Sequence, residues 1–289
     1  MRWWLLLALG LVVAACGGDR GSIVVGSLDT DEGEVLAHLY SELLDGNGID
    51  AEAAPRTGDR DEVLDALDDG HVDLYPEYAG AGLDAASRPG TAGPDVPTTA
   101  SALRRRMEAR GLEVFDPSLA SPSLAVVVTF DTAEATRVFT VSGLAERDDL
   151  VVGVLPGCAR APACLPGMAG VYGLRPERLV EHGSTADAVA ALHEGDVTAV
   201  VVPITAAELA GTDDVVLLDD RRQQPSQNVL PVVGLGDDER KGAVYRTLDR
   251  LAEELTTADV RELNRRIRLE GEAPDEAARD LLEDRGLVS

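Results

Sequence analysis

Aromatic side chains are almost absent. They make up 3% of the 289 residues, and both tryptophans, Trp3 and Trp4, stand at the extreme N-terminus. The core built by the rest of the chain must therefore be aliphatic, from Val, Leu, Ala and Ile. Lysine is scarcer still, with Lys241 alone. Bases number 26 against 52 acids, a formal charge of −26 at pH 7. Nucleic acid is not expected as a partner, because binding a phosphate backbone needs positive charge to release counterions. The same deficit disfavours adhesion of the protein surface to anionic lipid. The acid excess reads as a well-solvated surface, with a high-salt habitat as the sharper alternative.

Catalytic signatures are also missing. There is no Gly-x-Gly-x-x-Gly, no P-loop and no Gly-x-Ser-x-Gly elbow, so neither a phosphate cradle nor a hydrolase nucleophile is signalled. His38, His71, His182 and His193 are scattered along the chain. No carboxylate pair stands out as an acid/base dyad among so many. No third cysteine or histidine sits at metal-ligand spacing. An enzyme is not expected, nor is a metal or a cofactor. Beyond the N-terminus no apolar run approaches the about 20 residues that cross a bilayer.

What is present begins with Met1 to Ala15, where one arginine precedes a short apolar run and small residues follow. That pattern is a secretory signal, too short for a stable membrane anchor. Val13-Ala14-Ala15-Cys16 resembles a bacterial lipobox, which would make Cys16 the lipidated N-terminus and residues 16–21 a tether. An ordinary signal peptide with a chance cysteine is the alternative. The mature protein is expected outside the cytoplasm, held to the cell membrane by lipid. Cys158 and Cys164, an even pair in a Pro-rich turn, are expected to form a disulfide in that compartment.

Strand and helix patterns alternate along the remainder. Short β-branched runs at 22–27, 49–54, 71–78, 124–130, 150–155, 197–202, 215–218 and 229–233 read as strands. Helical spacing follows Asp29-Thr30-Asp31-Glu32 and recurs at 61–68, 99–110, 165–174, 185–194, 205–209, 239–255, 257–269 and 274–285. Ala79-Gly80-Ala81-Gly82 reads as a segment of close backbone approach, and 84–98 as a loop. The alternation predicts an α/β protein with mostly parallel sheets.

Three segments resemble one family, the extracytoplasmic solute-binding proteins of glycine betaine, carnitine and choline importers of the ATP-binding-cassette (ABC) type. They are Gly70-His71-Val72-Asp73-Leu74-Tyr75-Pro76-Glu77-Tyr78-Ala79-Gly80-Ala81; Cys164-Leu165-Pro166-Gly167-Met168 with Tyr172-Gly173-Leu174; and Thr257 through Ala278 with Leu281-Leu282 and Gly286-Leu287. The resemblance implies a type II periplasmic-binding-protein-like fold. Two lobes, 22–126 plus 229–289 and 127–228, would be joined by two hinge strands near 124–128 and 229–233. A small polar or cationic solute would sit between the lobes, and closure would present a surface to the membrane permease. A monomer is expected.

The resemblance also implies a box of tyrosines around a quaternary ammonium, since ring faces attract a cation that cannot donate hydrogen bonds. Tyr78 matches one box position. The other three fall on Ser123, Pro203 and Gln227, and the family's Lys and Thr positions fall on Leu28 and Ala81. Its Arg falls on Ala161, with Arg160 adjacent. Tyr78, Thr30, Ser123, Arg160, Thr205, Gln227 and Asn228 are therefore the ligand-binding candidates. Against these stand plain structural roles: a tyrosine packed on the Gly-rich turn, a hinge loop at Gln227 and Asn228, and a solvated Arg160. A sensor or interaction lipoprotein with a degenerate cleft is the alternative function, and an extracytoplasmic hydrolase the third.

Overall fold

The computed structural model describes residues 21–288. The expected export signal, Cys16 and the expected tether as far as residue 20 lie outside the described residues. The chain first lays down β1 (Ile23–Leu28), α1 (Asp31–Gly46), β2 (Ala51–Gly58), α2 (Arg60–Asp68), β3 (Leu74–Tyr78), α3 (Ala79–Ala85), α4 (Val96–Glu108) and β4 (Glu113–Val114). It then crosses to β5 (Leu124–Val128), α5 (Phe130–Thr136), α6 (Val141–Ala145), β6 (Val151–Val154), α7 (Leu165–Tyr172), β7 (Arg178–Glu181), α8 (Thr185–Glu194), β8 (Ala199–Pro203) and β9 (Val215–Val216). It returns through β10 (Val229–Val233) to α9 (Lys241–Glu254), α10 (Thr257–Glu270) and α11 (Pro274–Asp284).

Two five-stranded sheets result, ordered β2-β1-β3-β10-β4 and β7-β6-β8-β5-β9. In each, four strands share a direction. The fifth, β10 in the first sheet and β5 in the second, runs antiparallel to both its neighbours. Each reversed strand is the one that has just crossed from the other sheet. All of β5 lies in the second sheet, so the outward crossing ends before Leu124.

Helices cover both faces of each sheet, which is why the central strands read as unbroken apolar runs. In β10, Val229 and Val233 enter the core shared with α1, α9, α10 and α11. Leu230 and Val232 enter the opposite core with α2, α3 and α4. In β5, Val126 and Val128 face one core of the second half, and Ala125 and Val127 the other. Pro76 opposes Pro231 across the β3–β10 ladder. Rungs of an antiparallel ladder alternate between bonded and unbonded. The bond from Ala79 N to Asn228 O (3.1 Å) sets the parity so that the proline pair falls on an unbonded rung.

Several short elements differ from the sequence reading. Residues 79–85 are helical, and their glycines do serve close approach. A Cβ at Gly80 would lie 2.5 Å from Ser226 O, and one at Gly82 would lie 2.9 Å from Glu77 Cγ. Phe130 opens α5 instead of ending β5, because Thr129 Oγ1 caps the helix by accepting from Thr132 N at 3.2 Å. The predicted helix at 205–209 shrinks to a single 3₁₀ turn, Ala207–Leu209. The predicted disulfide between Cys158 and Cys164 is formed, with Cα atoms 5.3 Å apart.

Candidate functional site

The end of β1 turns sharply into α1. Thr30 caps the helix, its Oγ1 accepting from Gly33 N at 3.0 Å. A Cβ at Gly33 would stand 2.6 Å from Leu28 O, so no larger residue fits the turn. Asp31, Glu32 and Glu34 occupy the first turn, where the helix dipole favours negative charge. Asp31 is tied to Arg56 and Arg268, each at 2.6 Å.

Glu32 is the point on which both halves converge. Its Oε1 accepts from the Tyr78 hydroxyl at 2.8 Å. Its Oε2 accepts from Thr205 Oγ1 at 2.5 Å and from Asn264 Nδ2 at 2.9 Å. Tyr78 ends β3 and Asn264 lies on α10, both in the first half, whereas Thr205 follows β8 in the second. Asn264 Nδ2 also donates to Thr205 O at 2.9 Å, and Arg261 Nε to Ile204 O at 2.7 Å. Burial first, and then the Glu32 charge, hold the Tyr78 hydroxyl well above its ordinary pKa, so it stays a donor at neutral pH.

Beneath Tyr78 the strand is braced by Glu77, wholly buried, which receives Arg60 Nε at 2.5 Å and Nη2 at 3.0 Å. The same carboxylate takes the Tyr75 hydroxyl at 2.9 Å and Tyr78 N at 2.6 Å. Both ends of this buried charge are thus satisfied, as a low-dielectric site demands.

Two cavities flank the segment 203–205. A smaller one of about 170 Å³ lies between the halves, lined by Thr30, Asp31, Glu32, Pro203, Thr205, Glu208, Asn264 and Arg268 among others. A larger one of about 400 Å³ lies in the second half, behind Ser123, Leu124, Met168, Tyr172, Ile204 and Leu218. Its walls are mainly aliphatic. At its polar end Asp219 accepts from the Tyr172 hydroxyl and from Gln223 N and Gln224 N. Arg221 stands 5.6 Å over the Tyr172 ring, so that face already carries a cation.

Of the residues singled out in the sequence, Tyr78, Thr30 and Thr205 come together around Glu32. The Thr30 hydroxyl is engaged as the helix cap. Ser123 lines the larger cavity, its Oγ 3.0 Å from Ser121 Oγ. Gln227 Oε1 accepts from Ala81 N at 3.0 Å and ties the return crossing to α3. Asn228 is buried and joins the two crossings, donating to Ser118 O at 2.7 Å and accepting from Ser226 Oγ at 2.9 Å. Arg160 is exposed on the disulfide turn, outside the lining of either cavity, and its side chain has no partner among the described residues. Glu32, Asn264 and Arg261 were not singled out. Glu32 reads in sequence as one more helix-start acid, and Asn264 as part of the carboxy-terminal motif. Their placement three positions apart on α10 puts Arg261 and Asn264 on one face, which was the available signal. Among the described residues no group of three or more His, Cys, Asp or Glu is placed to hold a metal ion.

The substrate binding domain of ABC-type glycine betaine transport systems matches residues 21–284 of this chain. A glycine-betaine-binding protein of Pseudomonas aeruginosa PAO1 is 26% identical over 299 residues, covering 98% of this chain and 94% of that one. A crystal structure of a glycine betaine/carnitine/choline ABC transporter protein superposes with a TM-score of 0.83 at 20% identity, over 92% of this chain and 99% of that one. Apo YehZ from Escherichia coli superposes with a TM-score of 0.79 at 22% identity, again over 92% and 99%. At these identities the solved structures speak for the fold, which is that of type II periplasmic binding proteins.

Proposed function

This chain belongs to the family of substrate-binding domains of ABC-type glycine betaine transport systems, and from that premise we propose that it captures a small polar or cationic solute between its two halves. The solute is drawn from the chemical neighbourhood of glycine betaine, choline and carnitine. The family is one of solute binders and not of enzymes, and such receptors work outside the cytoplasm with an ABC permease. No helix among the described residues is long and apolar enough to cross a membrane. Attachment through a lipid on Cys16, and action as a monomer, are part of the same reading. The lobes separate at the crossings before Leu124 and before Val229.

The observation that carries this reading is the meeting of Tyr78 and Thr205, one from each half, on the Glu32 carboxylate. A carboxylate beside a cleft attracts a cation. Halves joined by hydrogen bonds at that same point couple occupancy to closure.

Thermal-shift titration with glycine betaine, choline, carnitine, proline betaine and small amines tests it. A solute that binds only the folded chain stabilises it by about 2.7 kcal/mol at roughly a hundredfold excess over Kd. At least one member of the panel raises Tm with a saturating dependence on concentration. A flat response to every member sinks the receptor reading and favours a sensor or interaction lipoprotein. The absence of rings at Ser123, Pro203 and Gln227 makes that second reading worth testing.

A further inference from the structure

Among the described residues the two halves share no hydrophobic core. Of the four core clusters, two draw their residues from the first half and two from the second. The bonds that join the halves away from the crossings gather on one face of α10. Val260 and Leu263 fix that helix in the first-half core. Beside them Thr257, Arg261, Asn264 and Arg268 follow at steps of four, three and four, a polar stripe along the helix. Thr257 Oγ1 accepts from Ser121 N at the outward crossing, at 3.0 Å. Arg261 Nε donates to Ile204 O at 2.7 Å, and Asn264 Nδ2 donates to Thr205 O and to Glu32 Oε2, each at 2.9 Å. Glu32 in turn takes the Thr205 hydroxyl. The receiving segment is fixed in its own half, with Ala206 and Leu209 in a second-half core. Arg222 Nη2 to Pro94 O, also between the halves, is long at 3.5 Å.

Arg261 is held there at a cost. It is half-buried and, in a chain with 52 acids, forms no ion pair among the described residues. Burial lowers its pKa, and no carboxylate stands by to raise it. A desolvated guanidinium gains by meeting water again, so the joined seam is one side of a balance: cross-half bonds against the desolvation of Arg261. Each of those bonds runs from protein to protein, and none waits for a solute. Resting on the receptor reading for what the cleft holds, we propose that α10 is a clasp that keeps the halves together before a solute arrives, with Arg261 and Asn264 as its positioning residues. Solute entry then waits on the clasp opening. Net loss of one hydrogen bond moves such a balance by about tenfold.

Small-angle X-ray scattering of the full chain without solute decides it. The parent is expected to scatter as joined halves. Arg261→Met with Asn264→Leu keeps the apolar bulk and drops the donors. It is expected to move the open-to-closed ratio about a hundredfold toward open, read as a larger radius of gyration. Arg261→Met with Thr205→Val cuts the seam from both sides without touching Asn264, and is expected to give the same shift. Arg261→Lys keeps a donor for Ile204 O and is expected to stay compact. A single cooperative urea transition in each variant shows that the larger radius reports parted halves and not an unfolded chain. A parent already expanded, or a folded double variant as compact as the parent, overturns the inference. So does loss of the cooperative transition in both double variants, which would make these residues part of the fold itself. Glycine betaine, choline, carnitine and proline betaine are then added to the opened variant. One that restores the smaller radius supports the receptor reading; failure of all four counts against that reading and leaves the clasp standing.

Discussion

The two halves meet the cleft with different materials. The first half supplies side chains: the Glu32 carboxylate, the Tyr78 hydroxyl, the Asn264 amide and the Arg261 guanidinium. Apart from the Thr205 hydroxyl and the Glu208 carboxylate, the second supplies main-chain carbonyls at Ile204 and Thr205 and an aliphatic wall. The difference continues behind the surface. Tyr78 rests on a buried charge centre at Glu77, whereas the turn before α7 is held by a disulfide. On the receptor reading proposed above, the first half recognises and the second encloses. Groups that must sit at fixed distances stand on strand and helix ends braced by buried hydrogen bonds, and the enclosing surface needs only shape.

The largest test of that contrast is Glu77→Ala. It would leave Arg60 without its partner, and Tyr75 and the Tyr78 N–H without an acceptor. Breaking a buried ion pair from one side costs about 3–5 kcal/mol. Urea unfolding followed by circular dichroism is expected to show a loss of that size, with Glu77→Gln retaining part of it. A loss below about 1 kcal/mol would mean that the brace contributes little and that the first half is no more rigid than the second.

How far this contrast can be read from the sequence depends on the kind of signal each part leaves. The central strands β5, β8 and β10 are legible because burial on both faces forces an unbroken apolar run. The long helices are legible from their spacing and their caps, Thr30 and Thr256 among them. β7 leaves no such pattern, since three of its four residues are exposed at a sheet edge. α5 and α6, at seven and five residues, are too short for a period to show. At the site, Tyr78 stands out because aromatics are rare. Glu32 does not, because it is one acid among 52, and what makes it central is the arrival of Thr205 from 173 residues away. Asn228 and Gln227 illustrate the converse: polar residues at a crossing attract a ligand reading, but their side chains hold the two crossings and α3 together.

Alkaline pH sharpens the comparison further. In the first half, burial raises the hydroxyls of Tyr40, Tyr75 and Tyr78 far above the ordinary value near 10. In the second half Tyr172 is pushed up to about 12 by burial and by Asp219. The unfolded chain loses these protons from about pH 10 upward while the folded chain keeps them. The folded state then binds more protons, so stability is intact below pH 10 and falls as pH rises above it. The slope approaches about 1.4 kcal/mol per pH unit for each fully buried tyrosine. Ultraviolet difference absorbance is expected to show the exposed Tyr245 and then Tyr172 ionising in the folded chain, with the other three appearing only as it unfolds. Early ionisation of three or more tyrosines in a chain that stays folded would contradict the tight packing assigned to the first half.

The smallest effect belongs to the disulfide. Cys158→Ser with Cys164→Ser opens a loop of sequence separation 6. In the chain-entropy account a loop this short is worth about 2 kcal/mol. The consequence should be local. The loop presents Ala163 O, which accepts from Gln224 Nε2 at 3.0 Å and from Gln223 Nε2 at 3.3 Å, and both glutamines line the larger cavity. Loosening the turn therefore relaxes the enclosing wall. It leaves untouched the Glu32, Tyr78 and Asn264 contacts, which depend on the first half. The double variant is expected to lose about 2 kcal/mol by urea unfolding and to show faster amide exchange in 157–172, with exchange in 31–44 and 74–85 unchanged below the global unfolding limit. If protection falls equally in both halves, recognition and enclosure share one cooperative unit, and the division of labour drawn from the cleft does not extend into the cores.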